Sequence, residues 1–160
     1  MATVDVRFQE RYWYPDDGGQ VWVAGYHVVE GDRYLGRDAP ELAERGLKVA
    51  GVAGAAQHHA AALASDAAAP GQPLELRRDP ANAHDPNAIM VLAAGEQAGW
   101  VPRELAAELA PRLDAGEAWS AVVLRERRDS PRDPRTGLTM LLAPAAELTL
   151  RPTAARRRSS

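Results

Sequence analysis

LELRRDPANAHDPNAIMVLAAGEQAGWVPR, residues Leu74 to Arg103, carries the strongest fold signal in the chain. LELRR and NAIMVLA are apolar runs bounded by Pro, Asn and Asp, which is how strands are usually delimited. Gly95 predicts a tight turn into a third strand near 97–101, and Pro102 suits the first position of a helix. The polar loop between the first two strands holds Asp79, Asn82, His84, Asp85 and Asn87. Charged loops between apolar strands are where small domains commonly carry their chemistry.

Outward from this stretch the chain remains strand-rich. TVDVRFQERYWY and QVWVAGYHVV alternate apolar and polar residues around PDDGG (15–19), a hairpin signal. Asp38-Ala39-Pro40-Glu41 opens a short helix with a cap, an early Pro and a first-turn acid, and Gly46 closes it. Residues 47–54 read as a buried strand, and 57–69 as a helix ending before Pro70-Gly71. Beyond Pro102, Leu105, Leu109 and Leu113 share one helical face, while Pro111 predicts a kink or a break. Strands at 118–127 and 138–144 form a second hairpin, a strand-like segment covers 147–151, and a disordered basic tail follows. The expected architecture is mainly β with inserted helices, a small OB-like or SH3-like barrel. Residues 1–46 are an N-terminal hairpin and helix extension, 47–151 the barrel, and 152–160 the tail.

Composition narrows the function classes. The 160 residues include no cysteine, which excludes disulfides and thiolate zinc sites. The N-terminus lacks the apolar core of a signal peptide, and no apolar run reaches membrane-spanning length. A soluble cytoplasmic protein is expected. Net charge is −3, against bulk electrostatic coating of nucleic acid, although residues 117–160 hold nine arginines against five carboxylates.

Several residues are candidates for chemistry. The Asx and Pro residues of 79–87 serve a purely structural turn as well as they serve a site. His84-Asp85 also fits the paired ligands of a metal-dependent phosphohydrolase, but His27, His58 and His59 have no matching ligand spacing. Adjacent His58 and His59 point in different directions, one toward solvent and one toward the sheet. No GxGxxG, GxxxxGK(S/T) or GxSxG motif occurs, so the chain is read as a non-enzyme without a cofactor. Trp100 ends a strand and Arg103 lies in the next helical turn; together they offer a stacking surface and a phosphate partner, or a core filler and a solvated residue.

Taken together, VAGVAG, QHH, the DP-x-N-x-x-D-x-NAI core and the G-W-V-P-R-E junction resemble the HIRAN domain over residues 47–143. The resemblance implies an OB-like barrel and, as in eukaryotic members fused to fork-remodelling helicases, capture of an unpaired 3′ end of DNA. By that resemblance Asp85 accepts from the terminal 3′-hydroxyl, and His84 stands where a Tyr packs on the end base. Trp100 and Arg103 match an aromatic or His and a cation that contact the terminal nucleotides. Gln57 and His58 stand where the family has an Arg-aromatic or aromatic pair, so Gln57 departs from the pattern. The expected function is a nucleic-acid-binding module of a stand-alone bacterial protein, recognising single-stranded DNA 3′ ends in DNA repair or replication stress. RNA is the competing strand. The alternatives are a protein-interaction or regulatory module with residues 1–46 docking a partner, and a metal-dependent phosphoesterase.

Overall fold

The structure, a computed structural model, describes residues 1–13 and 21–154. The elements are β1 (Ala2–Trp13), β2 (Val21–Glu30), β3 (Arg33–Tyr34), α1 (Pro40–Glu44), β4 (Lys48–Gly51), α2 (Ala55–His58) and α3 (Ala60–Ala64). Then follow a 3-10 turn (Asp66–Ala68), β5 (Pro73–Arg78), β6 (Ile89–Ala93), β7 (Glu96–Trp100), α4 (Arg103–Asp114), β8 (Ser120–Arg128), β9 (Gly137–Ala143) and β10 (Leu148–Pro152). The mainly-β architecture with inserted helices is as expected. The hairpin turn 15–19 lies outside the described residues.

Six strands run in the order β4–β9–β8–β5–β6–β7. One antiparallel bridge joins the two ends: Ala53 N–H donates to Trp100 O at 2.8 Å, and Trp100 N–H to Ala53 O at 2.9 Å. The joint needs Gly99, because a Cβ there would lie 2.4 Å from Ala53 O and 2.6 Å from Val52 Cγ1. Ala98 is an extra residue in the β6–β7 register, a bulge that curves the sheet into the bridge. Ile89, Val91, Val123, Met140 and Leu142 fill the interior, and Leu63 and Leu109 from the helices pack into the same cluster.

β8 is shared between two layers. One edge pairs along β9. On the other edge Ala121 and Val122 pair with β5, and Arg125 to Arg128 pair with β2. The split falls at Leu124, an extra residue in the β8–β9 register. Gly25 allows β2 to meet β8 there: its φ is +144°, and a Cβ would sit 2.2 Å from Leu124 O. β1 pairs with β2, and β10 pairs parallel to β1, so 148–152 bond to the N-terminal segment although the sequence groups them with the barrel. Pro152 pairs with Val6 and Thr153 N–H donates to Val6 O, holding the start of the expected tail; 155–160 lie outside the described residues. A second apolar cluster, with Val4, Val6, Val28, Leu42 and Leu47 packed against Val122, Leu124 and Leu141, seals this layer to the ring.

Three local expectations are corrected. The helix over 57–69 is two short helices broken at His59 (φ −135°, ψ 35°), followed by the 3-10 turn capped by Ser65. Ala62, Leu63 and Ala68 are all buried against the ring; on one continuous helix, at about 100° per residue, they would point in three directions. Pro111 does not break α4, which runs through it to Asp114. It forfeits one bond to the carbonyl of Ala107, an exposed residue that water can serve, while buried Ala106, Leu109 and Ala110 hold the helix down. Asp38 does not cap α1, whose N-cap is Ala39 with no side-chain bond.

Candidate functional site

The β5–β6 loop is organised by Asn82. Its Oδ1 accepts from the backbone N–H of His84 at 2.9 Å and of Asp85 at 3.1 Å, and its Nδ2 donates to Asp79 Oδ2 at 3.1 Å. Asp85 Oδ1 accepts from Asn87 N–H at 2.9 Å. Arg78 ties the loop's far side, donating to Ala88 O, Pro86 O and Asp114. The structural reading of Asp79 and Asn82 is therefore correct as far as it goes. These bonds also fix where His84 and Asp85 point.

After its bond to Asn87, Asp85 keeps Oδ2 without a hydrogen-bond donor among the described residues. Arg103 Nε lies 3.9 Å away, and Arg103 Nη2 donates to His84 O at 3.3 Å. The Asp85 side chain is 19% exposed and that of Arg103 78%, so this contact is long, wet and weak. Trp100 projects beside them, since its partner residues Ala53 and Met90 share its face of the sheet. A cavity of about 290 Å³ is lined by Ala53, Asn82, His84, Asp85, Trp100 and Arg103, with Ala88 and Val101 beneath.

Four of the six residues selected from sequence thus converge: His84, Asp85, Trp100 and Arg103. Gln57 and His58 do not line the cavity. Both are exposed on α2, which starts beside it at Gly54. A Cβ on Gly54 would lie 3.4 Å from Trp100 Cδ1 and 3.9 Å from His58 Cδ2, which puts the His58 ring at the margin. His59 is half-buried, as the contrast between adjacent residues implied. Arg77, on the adjoining strand β5, pairs with Glu75 at 2.8 Å. Arg128 and Arg135 both bond the buried Glu126 and so hold the hairpin together. Two lining residues were missed as site members. Asn82 was readable as a turn residue, and only the bridge to Trp100 marks Ala53. Among the described residues no group of three or more His, Cys, Asp or Glu could hold a metal, so His84-Asp85 lacks a ligand set there. No described helix is long and apolar enough to cross a membrane.

Comparison with known proteins finds partial relatives and one family model. A Fanconi-associated nuclease 1 homolog of Oryza sativa subsp. japonica is 54% identical over 48 residues, 28% of this chain. That match spans 5% of the relative's length. Among solved structures, the HIRAN domain of human HLTF is 25% identical, with TM-score 0.45, over 61% of this chain and 75% of that one. A protein from Lactobacillus plantarum is 19% identical, with TM-score 0.44, over 59% and 91%. The HIRAN domain model matches residues 50–142, which takes in the β4–β9 ring and the whole cavity. The chain belongs to the HIRAN domain family.

Proposed function

We propose that this domain binds single-stranded DNA by its free 3′ end and does not turn the strand over. Membership of the family and the stretch shared with a nuclease homolog support a DNA-directed role. The observation that carries the finer reading is Asp85 Oδ2, a carboxylate oxygen at the cavity in a loop fixed by the bonds of Asn82 and of Asp85 Oδ1. A carboxylate accepts a hydrogen bond from a terminal hydroxyl and repels a terminal phosphate, so it selects one kind of end. Trp100 offers a face for the last base, where stacking is worth about 1–3 kcal/mol. His84 lines the same cavity, and the exposed Arg103 guanidinium there can take the adjoining phosphate. Free 3′ ends arise in DNA repair and replication stress, the setting this reading assigns to the protein.

The test is fluorescence anisotropy with short single strands ending in a 3′-hydroxyl, a 3′-phosphate or a base-paired end, with RNA strands in parallel. The expected result is preference for the DNA 3′-hydroxyl in the natural chain and its loss in Asp85→Ala. Equal binding of all three ends would overturn end capture.

A further inference from the structure

On the described residues, arginines mostly face carboxylates: Arg7 with Asp32, Arg33 with Glu41, Arg78 with Asp114, Arg151 with Asp5. Arg37, Arg125 and Arg127 form no ion pair among the described residues, and the fold brings them to one place. Strand register shows how. Gln9, Gly25, Arg125, Thr139 and Gly51 stand in one row across β1, β2, β8, β9 and β4. Arg11, Val23, Arg127 and Gly137 form the next row. Residues paired across strands project to the same face. Arg11, Arg125 and Arg127 therefore share a face, with His27 two residues along β2 from Gly25. Leu35 and Ala39, on either side of Arg37, pack against the apolar cluster that includes Val122 and Leu124, which brings the approach to α1 beside β8. The Arg125 pKa is lowered first by burial and then by Arg37. The His27 pKa is pushed down to about 4, first by burial and then by Arg125 and Arg11. Asp38 and Glu126 adjoin the cluster in sequence, and Glu126 is paired with Arg128 and Arg135.

The same face continues to the cavity. From Arg125 the row passes Thr139 and Gly51, then two residues along the chain reaches Ala53, the partner of Trp100. The floor between is made of Thr, Gly and Ala, and no large side chain from that row stands on it. Two strand spacings of about 4.8 Å, a step of two residues and one further spacing put the cluster roughly 15 Å from Trp100.

We infer that Arg37, Arg125 and Arg127, assembled where β2 and the segment before α1 meet β8, form a phosphodiester-binding face for the DNA strand whose 3′ end occupies the cavity. The inference rests on the proposed end capture for its direction, 5′ from the pocket. It gives a residue outside the family match, Arg37, a binding role of its own. Single-strand grooves of this kind combine a cationic track with stacking at defined points.

The test uses the full chain with 3′-hydroxyl strands of about four and about twelve nucleotides, titrated over a range of salt. Arg37→Ala/Arg127→Ala is the main variant, because both side chains are exposed and bond nothing the fold needs. It should leave short-strand affinity and the preference for 3′-hydroxyl over 3′-phosphate unchanged. For the long strand the slope of log K against log salt should fall by about 1.4, for two lost phosphates. Arg125→Lys, which keeps charge but not the bond from Arg125 Nη1 to Tyr26 O, should bind the long strand nearly as the natural chain does. Equal slopes for the natural chain and the double variant would overturn the cationic face. A slope lost in the double variant, with no end preference in the natural chain, would uphold the face and overturn end capture.

Discussion

The loop 79–88 and the face made by β1, β2 and β8 are both densely charged, and they use charge in opposite ways. In the loop many polar groups bond locally: Asn82 makes three side-chain bonds, and Arg78 bonds Ala88, Pro86 and Asp114. Those bonds fix the direction of an open acceptor, Asp85 Oδ2. On the strand face Arg125 and Arg127 lie together with no carboxylate paired to either among the described residues. The first arrangement suits recognition of one group in one orientation, because its geometry is set before a ligand arrives. The second suits a repeating charge that needs proximity more than direction.

The two regions also depend on different joints, and the largest expected effects break them separately. Gly99→Ala drives a Cβ into Ala53 O at the bridge that closes the ring, with an expected loss of roughly 3–5 kcal/mol in urea unfolding and no end preference. Gly25→Ala makes a similar clash with Leu124 O where β2 meets β8. It should weaken the chain comparably yet keep 3′-hydroxyl selectivity in the fraction that folds. Loss of selectivity in that variant would show that the cavity and the N-terminal layer act as one unit.

Asn82→Ala is the sharper probe of the loop. It removes the acceptor for two backbone N–H groups, one of them in a part-buried bond, and should cost about 1–3 kcal/mol. If preorganisation matters, end selectivity falls with Asp85 still present, as the same anisotropy titration would show.

The smallest effect concerns His27. Its pKa of about 4 in the folded chain lies below the ordinary value of 6.5, so between those limits the unfolded chain takes up a proton that the folded chain does not. Stability contributed by neutral His27 is therefore complete above pH 6.5 and declines as pH falls toward 4. For a half-exposed ring the effect is on the order of 1 kcal/mol after allowing for solvent screening. His27→Gln should flatten the difference between melts at pH 7 and pH 5 relative to the natural chain. An unchanged difference would mean that burial and the cationic cluster together do not hold this ring neutral.

Much of the barrel and part of the site were legible in the residues. Apolar runs bounded by Pro, Asn, Asp and Gly located the strands near 73–78, 87–93 and 97–101, because those residues interrupt sheet pairing. The Asp-Pro and Asn motif located the loop, because Asx side chains and proline act on their own backbone. His84, Asp85, Trp100 and Arg103 followed from the family pattern and do meet at one cavity. The helices were read less well. Propensity favours one helix over 57–69 and a break at Pro111, and burial of Ala62, Leu63, Ala68 and Leu109 against the ring overrides both.

The sequence by itself therefore determined what depends on neighbours along the chain: strand period, turn chemistry, the absence of cysteine, the family. Tertiary structure alone decided what depends on partners far apart in the chain. It set Ala53 against Trp100 and left Gln57 outside the cavity. It divided one edge of β8 between β5 and β2, and gathered Arg37, Arg125 and Arg127. Such pairings form because burial and sheet hydrogen bonding act through space, and no local pattern of residues records which distant strand will supply the partner.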